Sequence, residues 1–233
     1  MLFRSTDFSE SLGYCQYKIP LSIRGEVGEP SEALIKGSAA HHEEEVYEQE
    51  HVVLEPVTIE KIQDPKQNIE FSREYVYTSL HVPFEFQSQS VMVSLYGRID
   101  KMLRVGSTLI VQDDKFTSKP KSYDSMTSPY PGQMLQVLTY LNSLYSMKRF
   151  ATPLDYFEVP HEQKQWQIRI CDNKTKNPYK VFTDYQNDQS QKYLHSSLRL
   201  FASIAVGQTE PVHHNSKSKC NACNLKESCE FRL

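Results

Sequence analysis

The sequence predicts an α/β fold, a mixed β-sheet flanked by helices. Three observations carry this. Within residues 52–115 apolar side chains alternate with polar ones, as in Val91, Val93 and Leu95, which puts them on one face of a strand. Within residues 132–147, Met134, Leu135, Leu138, Leu141 and Leu144 recur at helical spacing. Helical and strand-like stretches are also interleaved along the chain, the order that builds a layered core. The 233 residues suffice for one domain with a sizeable core and a small appendage.

The elements follow in order. Residues 31–50 predict a helix, with Ser31 as N-cap after Pro30 and an interior rich in Ala and Glu. Residues 69–71 and 75–77 are aromatic or β-branched and read as strands. Gly106 and Ser107 form a turn between short strands at 102–104 and 108–112. After the helix at 132–147, residues 153–159 and 166–170 predict two further strands, and 188–206 a last helix. From Gly207 onward the chain is polar, basic, cysteine-bearing and loop-like. No internal repeat or low-complexity tract is present.

Hydrophobic residues make up 39% and charged residues 24%, a balance ordinary for a globular protein. No apolar run is long enough to span a bilayer, and residues 1–15 lack the apolar stretch of a signal peptide, so a cytoplasmic location is expected. Net charge is −3, which hides an asymmetry. Residues 1–90 hold 7 basic and 16 acidic side chains, and residues 91–233 hold 19 and 13. A polyanion would favour the later part; the plain alternative is that a solvated acidic helix at 43–50 is the sole cause of the contrast.

The chemistry concentrates in Gly97-Arg98-Ile99-Asp100 and in Val111-Gln112-Asp113-Asp114-Lys115. Alternate strand residues share a face, so Val111, Asp113 and Lys115 point one way and Asp114 the other. Asp100 ends the partner strand. Two carboxylates converging there suit a hard, oxygen-loving cation such as Mg²⁺ or Mn²⁺. A lysine two residues on can orient a water or steady charge developing on phosphorus. The opposing reading is an exposed Asp-Asp-Lys turn. Gly37-x-x-x-His41 lies on the first helix, where His41 offers a nitrogen ligand, with His42 as the competing residue. Gln136 and Tyr140, four apart, project from one face of the second helix and break its apolar pattern.

Five cysteines are an odd number, and three lie within the last fourteen residues, which argues for a metal or cluster site over a disulfide framework. Cys220, Cys223 and Cys229 supply three thiolates. The fourth ligand of a soft site is then Cys15, Cys171, His213 or His214, and the metal is zinc or an iron–sulfur cluster. Cys171 falls in a strand pattern and reads as a buried small side chain.

The order of these pieces resembles the RecB-like branch of the PD-(D/E)XK nucleases. That order is an N-terminal Cys, then G-x-x-x-H, an isolated Asp, D-x-K, Q-x-x-x-Y and a C-x2-C-x5-C tail. Within that branch it is most similar to the CRISPR-associated exonucleases with an iron–sulfur cluster, the fourth-numbered Cas family. The resemblance spans residues 15–229 and implies a restriction-endonuclease-like core at 31–206. It also implies an N-terminal segment, 1–30, that contributes one cluster cysteine, and a cluster tail at 207–233. Cys15, Cys220, Cys223 and Cys229 would hold the cluster, 4Fe–4S rather than 2Fe–2S, joining the two ends of the chain. His41, Asp100, Asp113 and the backbone carbonyl of Asp114 would bind Mg²⁺ or Mn²⁺. Lys115 would be the catalytic lysine, and Gln136 and Tyr140 would contact DNA or the catalytic groups. The first motif position is often Glu in the family, so Asp113 and Asp114 could exchange roles. Arg98, Lys119 and Lys121, with the lysines at 217 and 219, are candidate phosphate contacts.

The implied activity is metal-dependent exonucleolytic cutting of single-stranded DNA ends, trimming fragments before their integration as CRISPR spacers, with integrase partners. The alternatives are a repair or mobile-element nuclease of the same fold, or a non-catalytic DNA-binding protein with a zinc or iron–sulfur site.

Overall fold

In the computed structural model one polypeptide path runs through two β-sheets. Residues 1–30, 32–51, 60–64, 67–72, 77–86, 89–105, 108–143 and 163–233 are described. The chain opens with β1 (Leu2–Arg4), α1 (Ser5–Gly13), α2 (Lys18–Ile23) and α3 (Glu32–His51). There follow β2 (Glu60–Asp64), β3 (Gln67–Ser72), β4 (Tyr77–Phe86), β5 (Gln89–Arg98), β6 (Lys101–Val105) and β7 (Thr108–Thr117). A single 3₁₀ turn, Pro120–Tyr123, leads to α4 (Pro131–Ser143), β8 (Lys164–Asp172), β9 (Pro178–Tyr185), α5 (Asp188–Ala205) and α6 (Lys217–Ala222).

The smaller sheet has the order β1-β5-β4, and the larger β2-β3-β6-β7-β8-β9. Both mix parallel and antiparallel pairs: β1 runs parallel to β5 and β7 to β8, and the other pairs are antiparallel. The mixed α/β expectation therefore holds, with two sheets in place of one. Strand β5 leaves the smaller sheet at Arg98, bends through Ile99 and Asp100, and enters the larger sheet as β6. That bend delivers the first candidate acidic residue.

The helices cover the sheets with their apolar stripes. In α4, Leu135, Leu138 and Leu141 are buried, and Pro131 at the first position brings a preset φ to the helix start. In α5, Leu194, Leu198, Phe201 and Ala202 face inward, and Asn187 caps the helix by accepting the Ser190 amide at 2.9 Å. The N-terminal segment belongs to the same core: Phe3 and Phe8 pack edge-on to Phe201 at 4.8 and 5.4 Å. Helices α1 and α4 cross so closely that a Cβ on Gly13 would lie 2.3 Å from the Gly132 nitrogen.

The expected helices at 31–50 and 188–206 appear as α3 and α5, and the helix at 132–147 appears as α4 up to Ser143. Its last turn, the strand at 153–159, the Gly106-Ser107 turn, Ser31 and most of 75–77 lie outside the described residues. The tail departs from a plain loop. Residues 217–222 form α6, where the Ser216 hydroxyl accepts from the Lys219 amide. Strands β1 and β9 and helices α1 and α2 carry no apolar pattern strong enough to have been anticipated. Among the described residues no helix is long and apolar enough to cross a membrane.

Candidate active site

Strand β7 lies between β6 and β8, and the larger sheet is covered on both faces there. Polar side chains in mid-strand are consequently buried: Gln112, Asp113 and Asp114 are 3%, 0% and 2% exposed. Burial of that kind demands partners, and the two faces of β7 supply different ones.

On one face, Lys115 Nζ lies 3.0 Å from Asp113 Oδ1 and 2.8 Å from Oδ2. The same ammonium donates to Gln136 Oε1 at 2.9 Å, and Gln136 Nε2 donates to the Tyr140 hydroxyl at 3.0 Å. Gln136 and Tyr140 sit one turn apart on α4, so both reach the strand. Asp100, at the bend between the sheets, accepts the Asp114 amide on Oδ2 at 3.3 Å. His41 of α3 is half-buried, edge-on to Phe116 at 4.9 Å, while His42 is exposed.

The electrostatics follow from the crowding. Burial, with the nearby Asp100 charge, pushes Asp113 up to about 7 against the pull of Lys115 and His41. Burial and Asp114 likewise raise Asp100. Lys115 is opposed by burial, yet Asp113 and Asp100 hold it above its ordinary value. Burial lifts Tyr140 to about 12, so it stays a neutral hydroxyl. Two carboxyls that repel each other in a low-dielectric site have charge to spare for a cation. Asp113 Oδ2 is buried and accepts no hydrogen bond of good geometry. Asp113, Asp100 and His41 thus fit a divalent metal by donor type.

The other face of β7 serves structure. Asp114 takes a two-pronged ion pair from Arg169, with Nε to Oδ1 at 2.7 Å. It also accepts from Gln112 at 3.0 Å and from Lys101 at 3.2 Å. Burial opposes its ionisation, but the Arg169 hydrogen bonds and the Lys101 charge outweigh it and hold the carboxyl below its usual range. The geometry therefore separates the two aspartates: Asp113 faces Lys115, and the Asp114 side chain is engaged elsewhere. The role of Arg169 depends on the β7–β8 register, which sets it opposite Asp114. Sequence patterning gives no signal for that pairing.

Gly97 makes room for the assembly. A Cβ there would lie 2.7 Å from Tyr140 Cε1 and 3.0 Å from Ser5 Oγ. Gly97→Ala is expected to cost about 1–3 kcal/mol by overpacking. Because the displaced ring carries the hydroxyl bonded to Gln136, the activity of the site should also fall. Thermal melting and a rate assay check this; unchanged values for both would refute it.

Arg98, Lys119 and Lys121 are exposed, at the end of β5 and in the turn after β7. Lys180, which the sequence did not single out, braces that turn by donating to the carbonyls of Tyr123, Asp124 and Met126 at 2.7, 3.0 and 2.6 Å.

The sequence profile of the PD-(D/E)XK nuclease superfamily matches residues 24–230. The chain belongs to the PD-(D/E)XK nuclease superfamily. No curated protein matches it in sequence. Solved structures similar to this PD-(D/E)XK chain include SSO0001, with TM-score 0.49, 13% identity, and coverage of 100% of this chain and 87% of that one. A Eubacterium rectale protein has TM-score 0.49 and 13% identity, covering 99% and 88%. An alkaline exonuclease from Laribacter hongkongensis has TM-score 0.38 and 11% identity, covering 88% and 89%. Nucleases of the PD-(D/E)XK superfamily use divalent metal ions, in keeping with the acidic face of β7.

This PD-(D/E)XK chain carries a second convergence, of thiols. Cys15 follows α1 and is buried, and Cys220 on α6 is buried as well. Burial raises the Cys15 thiol, and Cys223, Cys229 and Cys220 all lie near enough to raise it further. None of the five cysteines is in a disulfide. Cys171 is buried in β8. The two ends of the chain also meet through other contacts. Tyr14 donates to the Lys219 carbonyl at 2.6 Å, and the Val212 amide donates to Gln16 Oε1 at 2.9 Å. A Cβ on Gly28 would lie 1.9 Å from the Asn224 carbonyl. Four thiols so gathered fit an iron–sulfur cluster or a zinc ion by the softness of the donors.

Proposed function

We propose that this chain is a divalent-metal-dependent DNA exonuclease acting on single-stranded ends, of the CRISPR-associated type that trims fragments before integration. The observation that carries the reading is the unbroken chain of contacts Asp113–Lys115–Gln136–Tyr140 beside Asp100 and His41. Asp113, Asp100, His41 and the Asp114 carbonyl are the residues that would hold Mg²⁺ or Mn²⁺. When bound, the cation supplies Lewis-acid polarisation of the scissile phosphate and a more acidic attacking water.

The residues of the chain supply the rest. Lys115, kept cationic by two carboxylates, offers an N–H to the non-bridging phosphate oxygen as charge builds there. Gln136 fixes the ammonium at 2.9 Å, and the Tyr140 hydroxyl, which stays neutral and accepts from Gln136 Nε2 at 3.0 Å, orients Gln136 in turn. Cys15, Cys220, Cys223 and Cys229 are proposed as the iron–sulfur ligands. Integrase proteins are the proposed partners.

The test is degradation of end-labelled single-stranded DNA by purified protein with Mg²⁺ or Mn²⁺, stopped by EDTA. Absence of cleavage with either metal would overturn the reading. A separate expectation concerns the backbone track. Arg98, Lys119 and Lys121 are exposed on the basic side of the sequence, and each phosphate contact contributes about −0.7 to the slope of log affinity against log salt for single strands. Replacing each of the three by Ala should flatten that slope by about 0.7 per contact. An unchanged slope in the triple variant refutes the track.

A further inference from the structure

His213 and His214 stand at the thiol site, and nothing in the proposed function uses them. One ring nitrogen of each and Cys15 Sγ lie within 4.8 Å of one another. The two Nε2 atoms approach Cys220 Sγ at 3.5 and 4.0 Å. Distance alone would allow them to be metal ligands. Their outer nitrogens argue otherwise.

Each Nδ1 accepts a backbone N–H. The Asn215 amide donates to His213 Nδ1 at 3.1 Å, and the Ser216 amide donates to His214 Nδ1 at 2.9 Å. Asn215 Oδ1 lies farther from His213 Nδ1, at 3.4 Å. An amide can only donate, so the accepting Nδ1 holds a lone pair and the neutral ring carries its proton on Nε2. A histidine that binds metal does the reverse: one nitrogen coordinates, and the other donates its N–H outward. The backbone is shaped for this arrangement. Asn215 adopts φ 51°, a left-handed conformation that Asn tolerates, which turns the following peptide and with it the Ser216 amide back toward His214. Tyr14 packs edge-on to His214 at 5.8 Å and Tyr17 against His213 at 5.9 Å, while the two imidazoles lie 4.4 Å apart. Both rings are thus held between the Cys15 segment and the tail with their Nε2–H groups aimed at sulfur.

We propose that His213 and His214 donate hydrogen bonds to the Cys220 sulfur of an iron–sulfur cluster and are not ligands of its metal. This rests on the cluster reading given above. Donors to ligand sulfur stabilise the more negative, reduced cluster and so raise its reduction potential. The protein around the site thereby sets the redox poise without adding a ligand.

The experiment uses holoprotein purified without oxygen. Iron, zinc and acid-labile sulfide per chain are measured first on the wild type, then the reduction midpoint by dye-coupled titration. His213→Leu, His214→Leu and the double variant should keep wild-type iron and sulfide, and the midpoint should move to more negative potential, farthest in the double variant. His213→Gln and His214→Gln keep an N–H donor and remove the imidazole, so they should keep the iron and lie nearer the wild-type midpoint. Loss of iron in the Gln variants would overturn the proposal, because it marks the imidazoles as ligands. Full iron with an unmoved midpoint in the Leu variants would overturn it too. Wild-type protein with zinc and no sulfide would instead fell the cluster reading itself, before any variant is compared.

Discussion

Asp113→Ala should abolish DNA cleavage, by roughly 10³-fold or more, while leaving the protein folded. Asp113 is wholly buried, its Oδ2 accepts no hydrogen bond of good geometry, and it shares the site with a second carboxyl and one lysine. Its contribution to folding has the opposite sign to its contribution to catalysis. The folded pKa of about 7 lies above the ordinary 3.8, so the native chain holds this proton more tightly than the unfolded chain. That stabilisation is complete below about pH 4 and is lost as pH rises through about 7. In metal-free protein, Asp113→Asn removes the loss: Tm should rise at about pH 8 and hardly move at about pH 4. A site that destabilises its own fold until a cation arrives is the familiar trade between activity and stability. Asp114→Ala should behave in the contrary way. It removes the carboxylate that Arg169 and Lys101 share in a largely buried cluster, at about 3 kcal/mol. If Asp113→Ala cuts at the wild-type rate and folded Asp114→Ala does not cut, the ligand assignment is wrong by one residue.

Cys15→Ser should bleach the protein's visible absorption and lower its melting temperature, and Cys220→Ser, Cys223→Ser and Cys229→Ser should do the same. A cluster clasping residue 15 to residues 220–229 closes a very long loop, and the free energy of binding becomes free energy of folding. In the chain-entropy account a cross-link of that span is worth about 5 kcal/mol. The loss should stop short of unfolding, because Tyr14, Gln16 and Gly28 still bind the tail by other means. Cys171→Ser is the control. That thiol is buried in β8, so its replacement should leave iron and colour intact. Iron retained in Cys15→Ser and lost in Cys171→Ser would show the clasp to be misassigned.

Much of this architecture was readable before the structure, and for identifiable reasons. Helix α3 announces itself through an interior rich in Ala and Glu, and α4 and α5 through apolar stripes, all of them local signals. The alternation in β7 told which face Lys115 and Asp113 share, because side-chain direction in a strand depends on sequence parity alone. What stayed hidden depends on register and on long-range approach. Arg169 meets Asp114 only through a parallel pairing with a strand some fifty residues away. Lys180 reaches three carbonyls of a loop that its own sequence does not mention. Helix α1 is a polar stretch whose Phe8 alone is a fully buried large side chain, too sparse for a periodic signal. The spacing from Gly37 favoured His41 with His42 as its competitor, and in α3 His41 is half-buried against Phe116 while His42 is exposed.

The crossing of α1 and α4 bears on how this protein can drift under mutation. At Gly13 the smallest possible side chain would run into the backbone of Gly132, and a backbone has no rotamer in which to retreat. At Gly132 the added carbon would meet the Ser9 carbonyl at 3.1 Å, a milder conflict that a small shift relieves. A saturation library scored for folded protein should therefore show an intolerant column at position 13 and a partly permissive one at 132, although neither residue touches a ligand or a charge. Helix α4 carries Gln136 and Tyr140, so lineages that explore new substrates by tilting this helix would have to do so around a pivot whose position the first helix has already settled.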